Sequence, residues 1–421
     1  MFGGWRARRR HRRFGGPLDE DAHPTLAYRL RPSAPGLGGP PDEAGGRHGV
    51  EPRESAVSSP HHRSARRRDG RGARPLSGRP AGALAGIVIF FLLAAAAAGA
   101  APRRDVVVGR PDAAAARISA SASAARYPVG DGSGASVAVS VTAACQILCT
   151  APEPQVIAAL LGTFLHGPEV DLLTVQLDTP AQIESDCGYG AEACYYTSED
   201  KIILSGNDEP AGDGASREFV LAHEYGHHLA HHRLSPAPFP AAIDWGTPRW
   251  ASVANVCQGA RDGVLYPGDE GLHYFEDPGE AFAEAFARLH FPGSGPPWRY
   301  MAALKPGPAA FEAIRADALE PWLGRSSFLF AGLAPPPGSG AVVRSFRTPL
   351  DGAVSLRPTR FHHRYRLSLL SSAGHVLRST RRGLSLRHRL NFTVCGQSRL
   401  NIRIRSSRRT REAFRLQVQR P

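Results

Sequence analysis

Lysine is almost absent from this chain. Of its 51 basic residues, 49 are arginine, and the two lysines are Lys201 and Lys305. With Ala, Gly and Pro so abundant, that replacement reflects a GC-rich coding sequence more simply than it reflects arginine chemistry. Apolar residues are also sparse, 42% of 421, which leaves part of the chain without a packed core. Cysteine is missing from the first 102 residues, and all six (Cys145, Cys149, Cys187, Cys194, Cys257, Cys395) lie beyond them. An even count confined to one stretch fits disulfides in an exported segment. Cys187 and Cys194 are spaced to close a short loop, and the other four allow three pairings. The C-x3-C of Cys145 and Cys149 lacks a second cysteine pair at zinc-site spacing, which argues against a cysteine metal site.

Acids are scarce at the C-terminal end. Residues 341–421 hold 19 arginines against Asp351 and Glu412, a net +17, and residues 1–80 hold 17 arginines against 8 acids, a net +9. The formal total is +13, so residues 81–340 carry −13. A basic average hides an acidic centre, no whole-chain argument for nucleic-acid binding survives, and none is expected.

Charge is wholly absent from "AGALAGIVIFFLLAAAAAGA", residues 81–100. As a helix rising about 1.5 Å per residue, this run reaches about 30 Å, the thickness of a hydrocarbon core. Arg66, Arg67, Arg68, Arg71, Arg74 and Arg79 precede it. Positive charge on that side places residues 1–80 in the cytoplasm and the rest outside, as a single-pass cell membrane protein. A cleaved leader ending in "AAAAAGAAP" is the alternative and gives a secreted protein. A buried helix of a soluble core is the third reading, although such helices rarely lack polar residues all round.

The chain then divides by composition: a disordered Arg-rich tail over 1–80, the span over 81–102, and an Ala/Ser/Gly-rich linker over 103–142. A globular α+β domain is expected over 143–330, a Pro/Gly linker over 331–341 and a basic domain over 342–421. In the last, Tyr365, Leu367 and Leu369 alternate with Arg366 and Ser368, and Leu400, Ile402 and Ile404 with Asn401, Arg403 and Arg405. That period predicts antiparallel strands with one wet face, a small all-β sandwich.

"ASREFVLAHEYGHHLAHH", residues 215–232, is patterned for a helix, with Phe219, Val220, Ala222, Gly226 and Leu229 at three- and four-residue spacing and Ser216 and Glu218 at its start. His223 and His227, four apart, share one face, with Glu224 one step round. This is HExxH, in which two imidazoles ligate a metal and the glutamate acts as general base. His228 lies about 100° round from His227, and His231 about 12 Å along the axis from His223, beyond metal-bond reach. The longer HExxHxxGxxH pattern is excluded, because Ala230 and Arg233 stand where it needs glycine and histidine. Gly226 is expected to leave space beside the metal. The competing reading is a His-rich surface helix that collects metal without specificity.

A third ligand is sought downstream, in "HYFEDPGEAFAEAFARLH", residues 273–290. Pro278 and Gly279 open a helix whose Phe282, Ala285 and Phe286 form an apolar face. Glu280 and Glu284 share a stripe on it, and buried carboxylates demand partners. A metal suits Glu280, and Glu284 could then orient a histidine ligand through its second ring nitrogen. The alternative is an exposed helix with two solvated carboxylates.

HExxH followed by "EAFAEAF" resembles the gluzincin zinc metallopeptidases, closest to the catalytic domain of the anthrax lethal factor type. The resemblance covers about residues 195–290. It implies a zincin-like fold, an active-site helix beside a small sheet, and a zinc endopeptidase cleaving a peptide or protein substrate, which the charges flanking residues 81–100 would place outside the cytoplasm. It implies Zn²⁺ on His223, His227 and Glu280, Glu224 as general base, and Tyr274 facing the scissile carbonyl. Tyr274 stands one residue closer to the glutamate helix than the family's tyrosine, and Tyr225 and His273 are alternative donors. Lys201–Ser205 is expected as an edge strand that pairs with extended substrate. The stretch 245–271, pinned through Cys257, is expected to shape the pocket. Arg249 and Arg261 have surface pairing as their expected role. The C-terminal strands are similar in pattern to the pre-peptidase C-terminal β-sandwich of secreted bacterial proteases. Their arginines suit an anionic envelope polymer or lipid surface, or docking on the acidic domain. The rival reading of the whole is an envelope-polymer-binding protein with an inactive or structural zincin fold.

Overall fold

A computed structural model describes residues 107–108, 124–208, 214–360, 365–380, 389–396, 399–406 and 409–421. The tail expected over 1–80 and the span expected over 81–102 lie outside the described residues, as does most of the linker before 124. Among the described residues no helix is long and apolar enough to cross a membrane.

The fold is mixed α+β. Its first sheet is built from β1 (Val107–Val108), β2 (Ala125–Pro128), β3 (Ser136–Val141), β4 (Thr174–Asp178), β5 (Ala193–Tyr196) and β6 (Lys201–Ser205), in the order β1-β5-β6-β4-β3-β2. Strands β3, β4 and β6 run parallel, whereas β5 and β2 run antiparallel to their neighbours β6 and β3. The sheet therefore begins inside the stretch expected as linker. "SVAVSV" reads as low complexity, yet Val137 and Val139 are buried on one face of β3.

The run "KIILS" is covered on both faces: Ile202 and Leu204 enter the main core, and Ile203 packs with Ile183, Cys187, Cys194 and Tyr196. It is an interior strand, contrary to the expected edge. The turn after Tyr196 folds β5 back along one side of β6, and β4 pairs with the other.

The histidine helix packs on this sheet, and the glutamate helix packs on the histidine helix. The histidine helix, Arg217–His231, starts at Ser216, whose side chain accepts from the Phe219 amide. The glutamate helix, Pro278–His290, starts at Asp277, whose carboxylate accepts from the Gly279 amide, with proline in its first turn.

The C-terminal part, from Ser326 on, is a pair of antiparallel four-stranded sheets. Its strands are β7 (Ser326–Ala334), β8 (Val342–Arg347), β9 (Gly352–Arg360), β10 (Tyr365–Ser371), β11 (Val376–Ser379), β12 (Leu390–Val394), β13 (Arg399–Ser406) and β14 (Glu412–Arg420), ordered β11-β10-β13-β8 and β12-β9-β14-β7. Leu367, Leu369, Leu400, Ile402 and Ile404 are fully buried, as the alternation predicts. The sandwich begins earlier than expected. Strand β7 pairs with β14 from Ser326 to Ala334 and takes up part of the stretch expected as linker.

Three disulfides join Cys145 to Cys149, Cys187 to Cys194 and Cys257 to Cys395. The last crosses 138 residues and ties the stretch after the histidine helix to the sandwich. Beside it, the Asp351 amide donates to Ser252 Oγ (2.9 Å), the Gly396 amide to Asp351 Oδ1 (2.7 Å), and the Ala353 amide to the Ala237 carbonyl (2.8 Å).

Burial pushes the Asp351 carboxyl from 3.8 up to about 6, although the Gly396 amide and Arg261 pull it back. Between those values the folded protein keeps a proton that the unfolded chain releases. Stability from this group therefore falls as pH rises from 3.8 to about 6. Asp351→Asn is expected to flatten that part of a pH series of urea unfolding midpoints. An unchanged slope assigns it to other groups.

Candidate metal centre

Residues 219–230 of the histidine helix are all buried. The helix is packed between the sheet and the glutamate helix, which excludes the His-rich surface reading. Gly226 explains how closely the two helices approach. A Cβ placed there would lie 2.8 Å from Ala283 Cα and 3.3 Å from Ala283 Cβ. Glycine is needed for this helix contact, not for room beside a metal as expected. Gly279 acts similarly at the start of the glutamate helix, where a Cβ would meet the Ile243 carbonyl oxygen at 2.2 Å.

That approach brings three side chains together. His223 Nε2 and His227 Nε2 are 3.2 Å apart, and Glu280 offers Oε2 at 3.5 Å from the first and Oε1 at 3.5 Å from the second. All three side chains are at most 1% exposed. These three residues could hold a metal ion. Glu224, from the same helix, is 0% exposed.

Other charges frame the triangle. Glu284 Oε2 lies 3.4 Å from His223 Nδ1, while its Oε1 accepts from Arg288 Nε at 2.9 Å. Glu284 is thus buried between a histidine and an arginine, not solvated. His227 Nδ1 is buried with no hydrogen-bond partner among the described residues. Burial raises the Asp244 carboxyl, and His227 lowers it in part, so the two are electrostatic neighbours. Burial, reinforced by the charge of Glu280, pushes Asp277 up to about 8. Asp244, Asp277 and Arg288 were not singled out in the sequence. Asp277 had a signal, as an acid before Pro-Gly at a helix start, but Asp244 in "AIDWG" had none.

Tyr274 is buried on a single turn, Tyr274–Glu276, directly before the glutamate helix, and its hydroxyl lies 3.3 Å from that of Tyr300. The two alternative donors are engaged elsewhere. Tyr225 gives its hydroxyl to Glu169 Oε1 at 3.2 Å, and His273 Nδ1 lies 2.6 Å from Asp269 with its ring stacked on Tyr266.

The remaining residues of the histidine stretch hold the helix in place. His228 spans from the Tyr195 hydroxyl (3.1 Å) to the Glu169 carbonyl (2.9 Å), and burial lowers its pKa to about 4. Arg233 forms a buried pair with Glu169 at 3.0 Å and donates to the carbonyls of Asp317 and Ala318. Burial alone would raise Glu169, yet Arg233 holds it below its ordinary value. The position that excluded a third histidine is therefore an anchor. Arg249 is also more than a surface partner, since it pairs at 2.9 Å with Asp317, which is fully buried. Arg261 Nη2 lies 2.9 Å from Cys395 Sγ.

No family model matches this chain, and no curated protein matches it. Among solved structures, the Yersinia pseudotuberculosis-derived mitogen is 14% identical over 23% of this chain and 86% of its own, with a TM-score of 0.18. The SPBc2 prophage-derived protein YomS is 10% identical over 23% and 91%, also at 0.18. Legionella pneumophila aminopeptidase A in complex with aspartic acid is 11% identical over 65% and 36%, at 0.21. Likenesses at these scores carry no argument about this chain.

Gly226→Ala separates intrinsic helix preference from packing. Alanine favours a helix over glycine by about 1 kcal/mol, but the contact with Ala283 requires the helices to part. A net loss of about 1–3 kcal/mol is expected in chemical unfolding, with weaker metal binding in equilibrium dialysis. A stabilised variant with unchanged metal binding refutes the close-contact role.

Proposed function

We propose that the chain is a zinc-dependent endopeptidase acting outside the cytoplasm, with a zincin-like catalytic domain followed by the basic sandwich. The observation that carries this is the donor triangle. A tetrahedral ion with bonds of about 2.1 Å separates its ligand atoms by about 3.4 Å; here the two imidazole nitrogens stand 3.2 Å apart, and each has one of the two Glu280 oxygens at 3.5 Å. Two imidazoles and one carboxylate suit zinc better than calcium or magnesium, which take oxygen ligands. A second acid supports a cation as well: Asp277 is buried beside Glu280, and the Glu280 charge adds to burial in raising its carboxyl.

Zinc held by His223, His227 and Glu280 would supply a Lewis acid and would ease deprotonation of the attacking water. The chain's own groups do the rest. Glu224 accepts the proton of the attacking water and passes it to the leaving amine. Glu284, tied to Arg288, holds His223 through Nδ1, so that Nε2 keeps its lone pair for the metal. Tyr274 donates its hydroxyl to the carbonyl oxygen as negative charge develops there. Three disulfides support an oxidising compartment, and residues 81–100 supply the membrane anchor or leader that export requires.

A second reading, binding of an anionic envelope polymer, draws on the sandwich. Arg366 stands directly opposite Arg405 on neighbouring strands, with Arg403 opposite Ser368. Like charges facing each other across strands are unfavourable unless an anion lies between them. Arg366→Glu with Arg405→Glu is expected to abolish retention on an anionic glycopolymer resin. Wild-type protein that fails to bind the resin removes this reading.

The catalytic reading is tested by a pair of variants. Glu224→Gln is expected to retain one zinc in metal analysis while cleavage of a peptide library falls on the order of 10²–10⁴-fold. Glu280→Ala is expected to lose the zinc as well. Hydrolysis that survives Glu224→Gln removes that residue from the mechanism, and zinc that survives Glu280→Ala removes the third ligand.

A further inference from the structure

The far end of the histidine helix carries a second group of donors. His231 is the last helical residue and His232 caps the helix, while Asp200 lies on the turn between β5 and β6. One ligand atom from each residue lies within 4.8 Å of the others. His232 Nε2 is 2.8 Å from Asp200 Oδ1, and the rings of His231 and His232 meet at 5.1 Å and nearly a right angle. We propose that Asp200, His231 and His232 form a second site for a divalent transition metal, one that clamps the β5–β6 turn to the end of the histidine helix.

The carboxylate is held in place before any ion arrives. Asp200 adopts a left-handed backbone, with φ of 48°, which an ordinary turn residue avoids. Its carbonyl accepts from the Thr174 amide at 2.8 Å, and its Oδ1 accepts from the Tyr195 hydroxyl at 2.8 Å. The Tyr195 ring packs edge-on against that of His228, whose Nε2 is at the Glu169 carbonyl. His228 is thus a support and not a fourth ligand, although its Nδ1 stands only 3.7 Å from Asp200.

The carboxyl end of a helix, where backbone carbonyls lack partners, favours a cation. Two imidazoles and one carboxylate select zinc, copper or nickel over calcium and magnesium. Unlike the first centre, this one opens to solvent: Asp200 and His232 side chains are 27% and 22% exposed. Water can complete the coordination there. The site lies on the element that carries His223 and His227 but shares no donor with them, and it does not rest on the peptidase reading.

The test uses the full-length, untagged protein, stripped with a chelator and dialysed against Zn²⁺, with metal read by elemental analysis. The double variant His231→Ala/His232→Ala is expected to bind one equivalent less than wild type, and so is Asp200→Asn, chosen because asparagine tolerates the left-handed backbone. The double variant His223→Ala/His227→Ala is expected to lose a different equivalent and to keep the one that Asp200→Asn removes. Zn²⁺ is also expected to raise the melting temperature of that His223/His227 variant, but to do so less when Asp200→Asn is added. Equal zinc content in wild type and Asp200→Asn overturns the proposal. So does a His223/His227 variant whose zinc content and melting temperature do not change with Asp200→Asn.

Discussion

The close approach of the histidine helix and the glutamate helix is the constraint on which the centre depends. Metal donors must converge within a few tenths of an ångström, and side chains of histidine and glutamate have fixed reach. The backbones must therefore be set first. Gly226 lies against the Ala283 backbone with no space for a Cβ, so the interhelical distance is set by backbone contact and not by adjustable side chains. Gly279 fixes the start of the second helix against the Ile243 carbonyl in the same way. With those contacts in place, three buried donors meet at 3.2–3.5 Å.

Keeping the donors in place demands that the surrounding charges be balanced. The first helix is locked at its far end by the buried pair of Arg233 and Glu169, by Tyr225 on the same Glu169 carboxylate and by His228 on the Glu169 main-chain carbonyl. Losing one member would leave an uncompensated buried charge, which is why such pairs position an element more than they add net stability. The second helix carries its own balance in Glu284 and Arg288. Beside Glu280, burial first and then the Glu280 charge raise Asp277 to about 8.

The junction with the sandwich is organised differently. It relies on one covalent link, Cys257 to Cys395, and on backbone amides meeting the Asp351 carboxylate, the Ser252 hydroxyl and the Ala237 carbonyl. Closing 138 residues removes several kcal/mol of unfolded-state entropy in the chain-entropy view. The stretch before the glutamate helix, rich in Trp and Gly, is therefore held by a link to the sandwich.

Much of the centre was legible in the chain because its signals are local. Four-residue spacing places His223 and His227 on one helical face whatever surrounds them, and two glutamates on an apolar stripe must find partners. Period-two alternation likewise foretold the sandwich and its buried Leu400, Ile402 and Ile404. What the sequence left open depends on elements distant in the chain. The four remaining cysteines could pair in three ways until the folds of two halves brought Cys257 to Cys395. Lys201–Ser205 reads as a strand, but its interior place follows from β5 folding back on it. Asp244 and Asp200 carry no motif and acquire partners only through packing. Sequence alone therefore determined which residues could act as ligands, because helical and strand periods are intrinsic to the backbone. Tertiary structure alone decided which of them meet, because that depends on how closely Gly226 lets two helices approach.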